Sequence, residues 1–368
     1  MTIKSAVRSE AIRLRNMMEA NGASVIEADI LQPAGTLLDL YGEDIRSRAF
    51  VTMDPLHGEC MLRPDFTVPV VEAHMRDGAE PARYTYAGEV FRHQDDDFSK
   101  QNEYLQVGYE VFDRSNPNAA DAEVFALFQE LLSPLNLRAA TGDIGILMAA
   151  VKGLPISDHR KTALLRHIWR PVRFRSLLDR YAGKAPVPKS RVDLLQSLKT
   201  DTVSGLISKA GPAFGVRRET EIEARIQVLQ EDAQEPPISA NLLDLLGQIL
   251  AVRETCTNAL EQLRDIAVDM PWMLGAVENF VLRLDALSDK GVDVDALEFE
   301  ASYGRTTMEY YDGFVFGFYA QSRPDLPPVA TGGRYDALTE RLGEGRSIPA
   351  VGGVIRPALV LDLKGENQ

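Results

Sequence analysis

The sequence predicts an α+β protein in which an antiparallel sheet flanked by helices is interrupted by a helical insertion. Segments with strand character occur before residue 150 and return only at residue 297. Between them, residues 158–265 are helical in period and carry few strand signals. This order is most simply explained by one sheet domain with an insertion, and we expect its parts to span 1–150, 151–270 and 271–368.

The first part opens with an apolar stripe that has the spacing of an amphipathic helix. Residues 48–71 predict two short strands around a turn at His57–Gly58. Aromatic and β-branched residues in 83–92 and 104–113 predict two longer strands, and a helix is expected from Asp121. These elements would form the first half of the sheet domain.

The middle of the chain predicts helices separated by glycine and proline. Their expected bounds are 158–181, 189–209, 218–231, 240–265 and 272–289. Strand character returns at 297–303 and at 310–320, where Phe314, Phe316 and Phe318 alternate with other residues. The segment AVGGVIRPALVLDL then predicts a strand followed by a helix near the end of the chain.

Length and composition exclude several classes of protein. The chain has 368 residues, of which 45% are hydrophobic and 26% are charged, as in folded soluble proteins of about two domains. Its 40 basic and 54 acidic residues give a net charge of −14, which argues against a nucleic-acid partner. Two cysteines are too few for a disulfide framework or a cysteine-based zinc site. No run of 18 apolar residues and no secretory signal occurs, so we expect a cytoplasmic protein without a membrane span.

Motifs for metals and cofactors are missing. No two of the five histidines have the spacing of a metal site on one helix turn, and no Rossmann, P-loop or nucleophile-elbow motif occurs. We therefore expect no metal and no cofactor. The acidic run Asp95-Asp96-Asp97 is most simply a solvated loop.

Five segments nevertheless occur in an informative order. They are LRPDFTVP (62–69), YAGEVFRHQ (86–94), EYLQVGYEVF (103–112), TMEYYDGFVF (307–316) and TGGRYDAL (331–338). Together they resemble the core of class II aminoacyl-tRNA synthetases, specifically the histidyl-tRNA synthetase group. The resemblance covers roughly 1–150 and 270–368 and implies a class II synthetase-like antiparallel sheet. Pro33 stands where the dimer-forming motif of the family ends, which implies a homodimer core.

The residues themselves suit an amino-acid pocket. A carboxylate such as Asp65 can hold an α-ammonium, and Arg92 can hold a carboxylate by charge-assisted hydrogen bonds. Gln106 and Glu110 are four apart on one strand and therefore face the same side. By themselves, Glu110 and Tyr311 are more simply interpreted as ordinary strand residues. The resemblance implies a histidine-binding site lined by Asp65, Thr67, Arg92, Gln106, Glu110, Tyr310 and Tyr311.

Departures from the family bear on catalysis. Thr306 occupies the position of the family's adenylate-contacting arginine, and Leu359 occupies the position of its third-motif arginine. Gln94 replaces the acidic residue that follows the second-motif arginine in the family. Adenylate formation depends on such cations because they stabilise developing negative charge. The chain also stops at Gln368 without an anticodon-binding domain, so we expect no catalytic residues and no tRNA.

A synthetase-like scaffold with these losses resembles a family of regulatory subunits. The resemblance implies that the chain binds and activates the short-form catalytic subunit of ATP phosphoribosyltransferase in a hetero-oligomer and relays histidine feedback. Two alternatives stay open: an adenylate-forming enzyme of the histidyl-tRNA synthetase type, and a free-standing amino-acid-binding protein. The basic stretch 160–175 is either a solvated helix face or a docking surface for an acidic patch on a partner.

Overall fold

A computed structural model describes residues 4–41, 45–46, 48–93, 101–211, 218–305 and 310–366. The chain divides into two compact units, which are 1–146 together with 251–368, and 147–250. Thr306 and Gln94, on which two of the catalytic expectations rest, lie outside the described residues, as does the acidic run 95–97.

The described strands all lie in the first unit. In chain order they are β1 (Ser24–Val25), β2 (Leu31–Pro33), β3 (Val51–Asp54), β4 (Gly58–Leu62), β5 (Ala82–Phe91), β6 (Glu103–Phe112), β7 (Arg138–Asp143), β8 (Arg253–Thr255), β9 (Glu298–Glu300), β10 (Phe314–Tyr319), β11 (Ala330–Arg334) and β12 (Ala350–Ile355). Both long strands predicted from aromatic and β-branched residues are confirmed within one residue, as β5 and β6.

Helices occur before, between and after these strands along the chain. They are α1 (Lys4–Ala20), α2 (Ala34–Tyr41), α3 (Thr67–Asp77), α4 (Pro117–Leu132), α5 (Ile144–Lys152), α6 (Asp158–Arg166), α7 (Pro171–Tyr181), α8 (Lys189–Ser197), α9 (Val203–Lys209), α10 (Glu219–Gln234), α11 (Ala240–Ala251), α12 (Cys256–Asp269), α13 (Leu274–Asp289), α14 (Asp336–Leu342) and α15 (Pro357–Glu366).

In the described ranges, nine strands form the large sheet in the order β1-β5-β6-β12-β11-β10-β7-β9-β8. In this order, the six consecutive strands from β5 to β7 pair with one another in antiparallel orientation. The sheet differs from a purely antiparallel one at two places, because β1 pairs with β5 and β9 pairs with β7 in parallel. Parallel neighbours need a long connection, and here the connection from β7 to β9 includes the whole second unit. The strands β2, β4 and β3 form a separate small sheet.

One face of the large sheet is covered by helix α4. The three alternating phenylalanines of β10 point to this face, where the ring of Phe125 lies 5.3–6.2 Å from all three ring centroids. Phe128 makes an edge contact with Phe316 at 5.6 Å. The alternation predicted for β10 is therefore confirmed, and the intervening residues of the strand face the opposite side of the sheet.

The helical insertion differs from its predicted bounds of 151–270. The expected helix 240–265 is divided by β8, whose residues pair with β9 at the end of the large sheet. This pairing places 251–270 in the first unit, and the second unit spans 147–250. Pro171 divides the expected helix 158–181, because proline at a first helical position starts a new helix.

Buried ion pairs join the helices of the second unit. Arg160 Nε lies 2.6 Å from Asp232 Oδ1 and 3.1 Å from Glu235 Oε2, and Arg191 Nη2 lies 2.6 Å from Asp232 Oδ2. These contacts hold α6, α8 and α10 together. Arg160 therefore does not belong to a solvated or docking face, although it begins the basic stretch 160–175.

Two kinds of feature are absent from the described part of the chain. No described helix combines the length and apolar character that a membrane crossing requires. No cluster of three or more histidine, cysteine, aspartate or glutamate side chains among the described residues has the arrangement of a metal site.

Candidate functional site

A buried carboxylate lies at the centre of the sheet face opposite α4. Glu110, on β6, is only 1% exposed. Its Oε2 accepts a hydrogen bond from the Tyr335 hydroxyl at 2.6 Å, and its Oε1 accepts from the Tyr86 hydroxyl at 2.9 Å and from Thr67 Oγ1 at 3.1 Å. An ionised carboxylate has about four acceptor positions. Three are used by residues that the structure describes, and the fourth has no donor among them.

The surroundings of Glu110 change its acidity. Burial raises the pKa of Glu110 to about 7, although the three hydroxyl donors act in the opposite direction. The negative charge of Asp65 adds to the rise. Near neutral pH, Glu110 is therefore partly protonated, whereas an exposed glutamate is almost fully ionised.

The tyrosines around Glu110 stay protonated. Burial and the neighbouring Glu110 carboxylate raise the pKa of both Tyr86 and Tyr335 well above the ordinary value. Their hydroxyl groups are thus fixed as donors toward Glu110. The Tyr86 ring is further held by stacking on Phe66, with ring centroids 4.3 Å apart.

Glycines on the neighbouring strands make room for these side chains. Gly352 of β12 lies opposite Glu110, and a Cβ atom there would collide with Glu110 Oε2. Gly108 of β6 lies opposite Tyr86, and a Cβ atom there would collide with the tyrosine ring. The sheet can therefore carry a glutamate and a tyrosine lying across its surface only because two positions lack side chains.

Further predicted residues border this centre. Asp65 Oδ1 accepts a hydrogen bond from the backbone of Val68 at 3.3 Å, at the start of α3. The Tyr310 hydroxyl lies 3.5 Å from Thr67 Oγ1, and the rings of Tyr310 and Tyr311 are 4.9 Å apart. Tyr311 is buried, and burial together with the Glu110 charge raises its pKa.

Gln106 and Arg92 extend the site along the sheet. Gln106 is two residues before Gly108 on β6, so its side chain faces the same side of the sheet as Glu110. It is 1% exposed. Within the described residues its Oε1 atom has no hydrogen-bond partner. Arg92 follows β5, its Nε donates to the Pro64 carbonyl at 2.7 Å, and its charge acts on the Tyr311 hydroxyl. The structure thus brings the predicted side chains to one region of one sheet face.

Sequence reasoning missed two members of this site. The donors to Glu110 are Tyr86 and Tyr335, whereas the sequence analysis placed only Tyr310 and Tyr311 in the pocket. Both missed tyrosines lie inside segments that carry the family resemblance. The sequence held one signal for Tyr86. Tyr86 and Arg92 are an even number of residues apart, so their side chains are expected on the same side of the strand. The pairing of Tyr86 with a glycine that leaves space for its ring depends on strand register, which the sequence does not show.

The family model for histidyl-tRNA synthetase matches this chain over residues 4–231 and 223–358. Relatives named ATP phosphoribosyltransferase regulatory subunit, from Brucella canis and from Brucella melitensis biotype 1, are 32% identical over 373 residues. The alignments cover 96% of this chain and 97% and 96% of those proteins.

Solved structures resemble the fold. A structure titled ATP phosphoribosyltransferase regulatory subunit/histidyl-tRNA synthetase, from Bacillus halodurans, matches with a TM-score of 0.68 at 20% identity, covering 98% of this chain and 79% of that one. A histidyl-tRNA synthetase from Nostoc matches with a TM-score of 0.63 at 16% identity, covering 99% and 73%. The sheet and its flanking helices thus define a class II synthetase-like protein. The chain belongs to the histidyl-tRNA synthetase family and, within it, to the group of ATP phosphoribosyltransferase regulatory subunits.

Proposed function

We propose that this chain is a non-catalytic regulatory subunit that binds the short-form catalytic subunit of ATP phosphoribosyltransferase. In this proposal the complex is a glycosyltransferase of histidine biosynthesis, and the chain is required for its activity. The observation that carries the proposal is the 32% identity, over 96% of the chain, to relatives named as regulatory subunits of that enzyme. Leu359 supports it, because an alkyl side chain on α15 stands where the family has an arginine for ATP.

L-histidine is the ligand we propose for the pocket around Glu110. A carboxyl group with a pKa near 7 matches an imidazole, whose own pKa is about 6.5, because the pair can share one proton in either arrangement. The remaining acceptor position of Glu110 would take a ring N–H. Asp65 would hold the α-ammonium and Arg92 the carboxylate, as charge-assisted hydrogen bonds.

Feedback by histidine would operate through this pocket. Histidine regulates the complex only if it binds two assembly states with different affinity, since equal affinity shifts no equilibrium. The hydroxyl network of Glu110 connects β6, α3 and the segment after β11, so a ligand there contacts parts of the chain that are far apart in sequence.

A homodimer core formed by the small sheet is also part of the proposal. Met53 and Leu56, in and just after β3, are 71% and 88% exposed, and Leu31 and Val51 on the same sheet are exposed as well. Exposed apolar side chains grouped on one small sheet are typical of a protein interface. Pro33, where the dimer-forming motif of the family ends, closes β2 of this sheet. We place the complex in the cytoplasm and assign it no nucleic-acid partner.

The direct test is a phosphoribosyltransferase assay of the purified short-form catalytic subunit with and without this chain. We expect the activity to rise at least tenfold when the chain is added, and histidine to lower that activity. A matched measurement of histidine-dependent pyrophosphate exchange by the chain alone should stay at background.

Two results would contradict the proposal. An unchanged phosphoribosyltransferase rate, with no co-sedimentation of the two chains, would favour a free-standing amino-acid-binding protein. Pyrophosphate exchange at a rate typical of synthetases would favour an adenylate-forming enzyme.

A further inference from the structure

Helix α14 is capped by an aspartate from another segment of the chain. Tyr335, the residue before the helix, provides no side-chain hydrogen bond to its first turn. Asp312 Oδ1 accepts instead from the backbone N–H of Asp336 at 3.1 Å, and its Oδ2 accepts from that of Ala337 at 2.5 Å. These N–H groups have no partner within a helix, so Asp312 satisfies them. The backbone N–H of Asp312 also donates to the carbonyl of Arg334 at 3.0 Å.

These contacts connect two segments that contribute tyrosines to the Glu110 pocket. Asp312 directly follows Tyr311 in the chain. Asp336 directly follows Tyr335, whose hydroxyl donates to Glu110 Oε2 at 2.6 Å. If Asp312 releases the first turn of α14, the backbone that carries Tyr335 loses one of its attachments. Asp312 can therefore affect the geometry of the pocket without touching a ligand.

An alternating row of charges lies beside Asp312. Arginines and carboxylates contact one another along it in the order Asp143, Arg283, Asp121, Arg334 and Asp336. Asp336 Oδ1 lies 2.9 Å from Arg334 Nη1, and the Asp312 carboxylate contacts the backbone of Asp336. No lysine, arginine or histidine among the described residues lies within ion-pair distance of Asp312. Asp312 therefore ends the row as a second carboxylate without a cation of its own.

The surroundings of Asp312 favour its protonated form. Burial and the negative charge of Asp336 raise the pKa of Asp312 to about 7. The backbone donors and the charge of Arg334 act in the opposite direction but do not cancel the rise. When the first turn of α14 opens, the aspartate is solvated and regains an ordinary pKa of about 3.8. The proton therefore stabilises the closed turn, and this stabilisation is lost as the pH rises through 7.

We propose that Asp312 is a positioning residue of the Glu110 pocket and that its ionisation loosens the first turn of α14. At high pH the charges of Asp312 and Asp336 repel each other beside the helix, and at lower pH a proton removes one of them. The segment of Tyr335 would then be held more firmly at the lower pH. This role rests on the proposed function only in naming histidine as the ligand, because the contact between Asp312 and α14 needs none.

Amide hydrogen exchange of the full chain tests this role without a ligand. Exchange of residues 336–342 is measured at pH 6, 7 and 8 by mass spectrometry and corrected for the intrinsic effect of pH on exchange. For a pKa of about 7 that falls to about 3.8 on opening, linkage makes opening about tenfold more favourable at pH 8 than at pH 6. Exchange faster than that of β7 would identify the opening as local.

Two variants separate Asp312 from other titrating groups. Asp312→Asn cannot titrate, so its corrected exchange in α14 should be independent of pH. Asp325→Asn is the matched control and should behave like the unmodified chain, because Asp325 is 62% exposed between β10 and β11. If Asp312→Asn does not fold, Asp336→Asn takes its place. Without the neighbouring charge, the pH at which α14 loosens should move to a lower value.

Three results of the exchange experiment would overturn the role of Asp312. They are the same pH dependence in a folded Asp312→Asn as in the unmodified chain, no pH dependence in the unmodified chain, and exchange in α14 that is no faster than in β7.

Calorimetric titration with L-histidine, combined with exchange, separates this role from the proposed function. Bound histidine should slow exchange in α14, because a ligand that needs Tyr335 in place stabilises the closed turn. Histidine that binds without slowing this exchange would overturn the positioning role. If no histidine binds but the pH response still depends on Asp312, the hold of Asp312 on α14 is supported and the histidine pocket is refuted.

Discussion

At the scale of single residues, Glu110 shows how a pocket acquires its chemistry from its neighbours. The glutamate accepts three hydroxyl hydrogen bonds, which stabilise its charge, yet burial outweighs them and its pKa rises to about 7. Solvation of a carboxylate by water is stronger than three neutral donors can replace in a buried site. The result is a carboxyl group that titrates in the same pH range as an imidazole.

This shift predicts how stability varies with pH. The pKa of Glu110 is about 7 in the folded chain and about 4.5 in the unfolded chain, so the folded state holds the proton more tightly. The stabilising contribution is complete below pH 4.5 and is lost as the pH rises through 7. For a shift of this size the loss is on the order of 3 kcal/mol.

The measurement is urea unfolding of the unmodified chain and of Glu110→Gln between pH 5 and pH 8. Glu110→Gln keeps the acceptor oxygen and the volume but cannot titrate. We expect the free energy of unfolding of the unmodified chain to fall relative to the variant as the pH rises. Parallel curves for the two proteins would show that Glu110 is ionised throughout this range.

At the scale of elements, α7 shows how the basic stretch 160–175 divides into two kinds of residue. Phe174, Leu178 and Tyr181 are the buried face of the helix. On its outer side Arg173 and Arg175 are exposed around Val172, which is 81% exposed. An exposed valine between exposed arginines, in a chain of net charge −14, is typical of a contact surface for an acidic partner.

We therefore expect the double charge reversal Arg173→Glu, Arg175→Glu to weaken association with the catalytic subunit. Exposed ion pairs contribute about 0.2–1 kcal/mol each, so the loss of two should raise the dissociation constant roughly 2- to 30-fold. The effect should shrink with added salt because screening reduces such contacts. The homodimer should be unaffected, since the small sheet lies elsewhere in the chain.

Sedimentation of the mixed chains at two salt concentrations measures this effect. Lys189→Glu is the matched control, because its side chain is 91% exposed on α8 in the same unit. If the reversal has no more effect than the control at either salt concentration, α7 is a solvated face.

At the scale of the whole molecule, one buried ion network joins distant parts of the first unit. Arg283 of α13 donates to Asp143 Oδ2 at 2.6 and 2.7 Å and lies 3.3 Å from Asp121 of α4. Arg334 of β11 lies 2.7 Å from Asp121 on the other side. Arg334 precedes Tyr335, so the network holds the chain on one side of the sheet while the tyrosine reaches Glu110 on the other.

Removing one partner of this network should be costly. Arg283→Met keeps the length of the side chain but leaves Asp143 and Asp121 without their shared cation. Loss of one partner from a buried pair typically lowers the free energy of unfolding by about 3–5 kcal/mol. The exposed Arg253→Gln should change it by less than about 0.5 kcal/mol.

Urea unfolding at neutral pH measures the change, and repeating it at lower pH tests the cause. The cost should diminish at acidic pH, because burial already raises the pKa of Asp143 and protonation removes its unpaired charge. If Arg283→Met lowers the free energy of unfolding by less than about 1 kcal/mol, the network orients these residues but contributes little to stability.

The sequence by itself determined the local elements and the kind of protein. Strands β5 and β6, the alternating phenylalanines of β10 and the helix α4 could be predicted because each leaves a periodic pattern within a few residues. The family could be recognised because five short segments recur in order, and its regulatory group because positions such as Leu359 lack the family's catalytic cations. The predicted site residues came from those same segments, and the structure brings them to one sheet face.

Tertiary structure alone decided which of these residues act on each other. The contacts of Tyr86 and Tyr335 with Glu110 depend on strand register and on the glycines opposite them, and neither has a local signature. The short strand β8 divides an otherwise continuous helical pattern because β9, more than forty residues later, offers it backbone partners. The raised pKa of Glu110 was likewise decided by tertiary structure, because it results from burial. The free energy of a buried group is fixed by what surrounds it in space, and these neighbours come from parts of the chain up to 225 residues away.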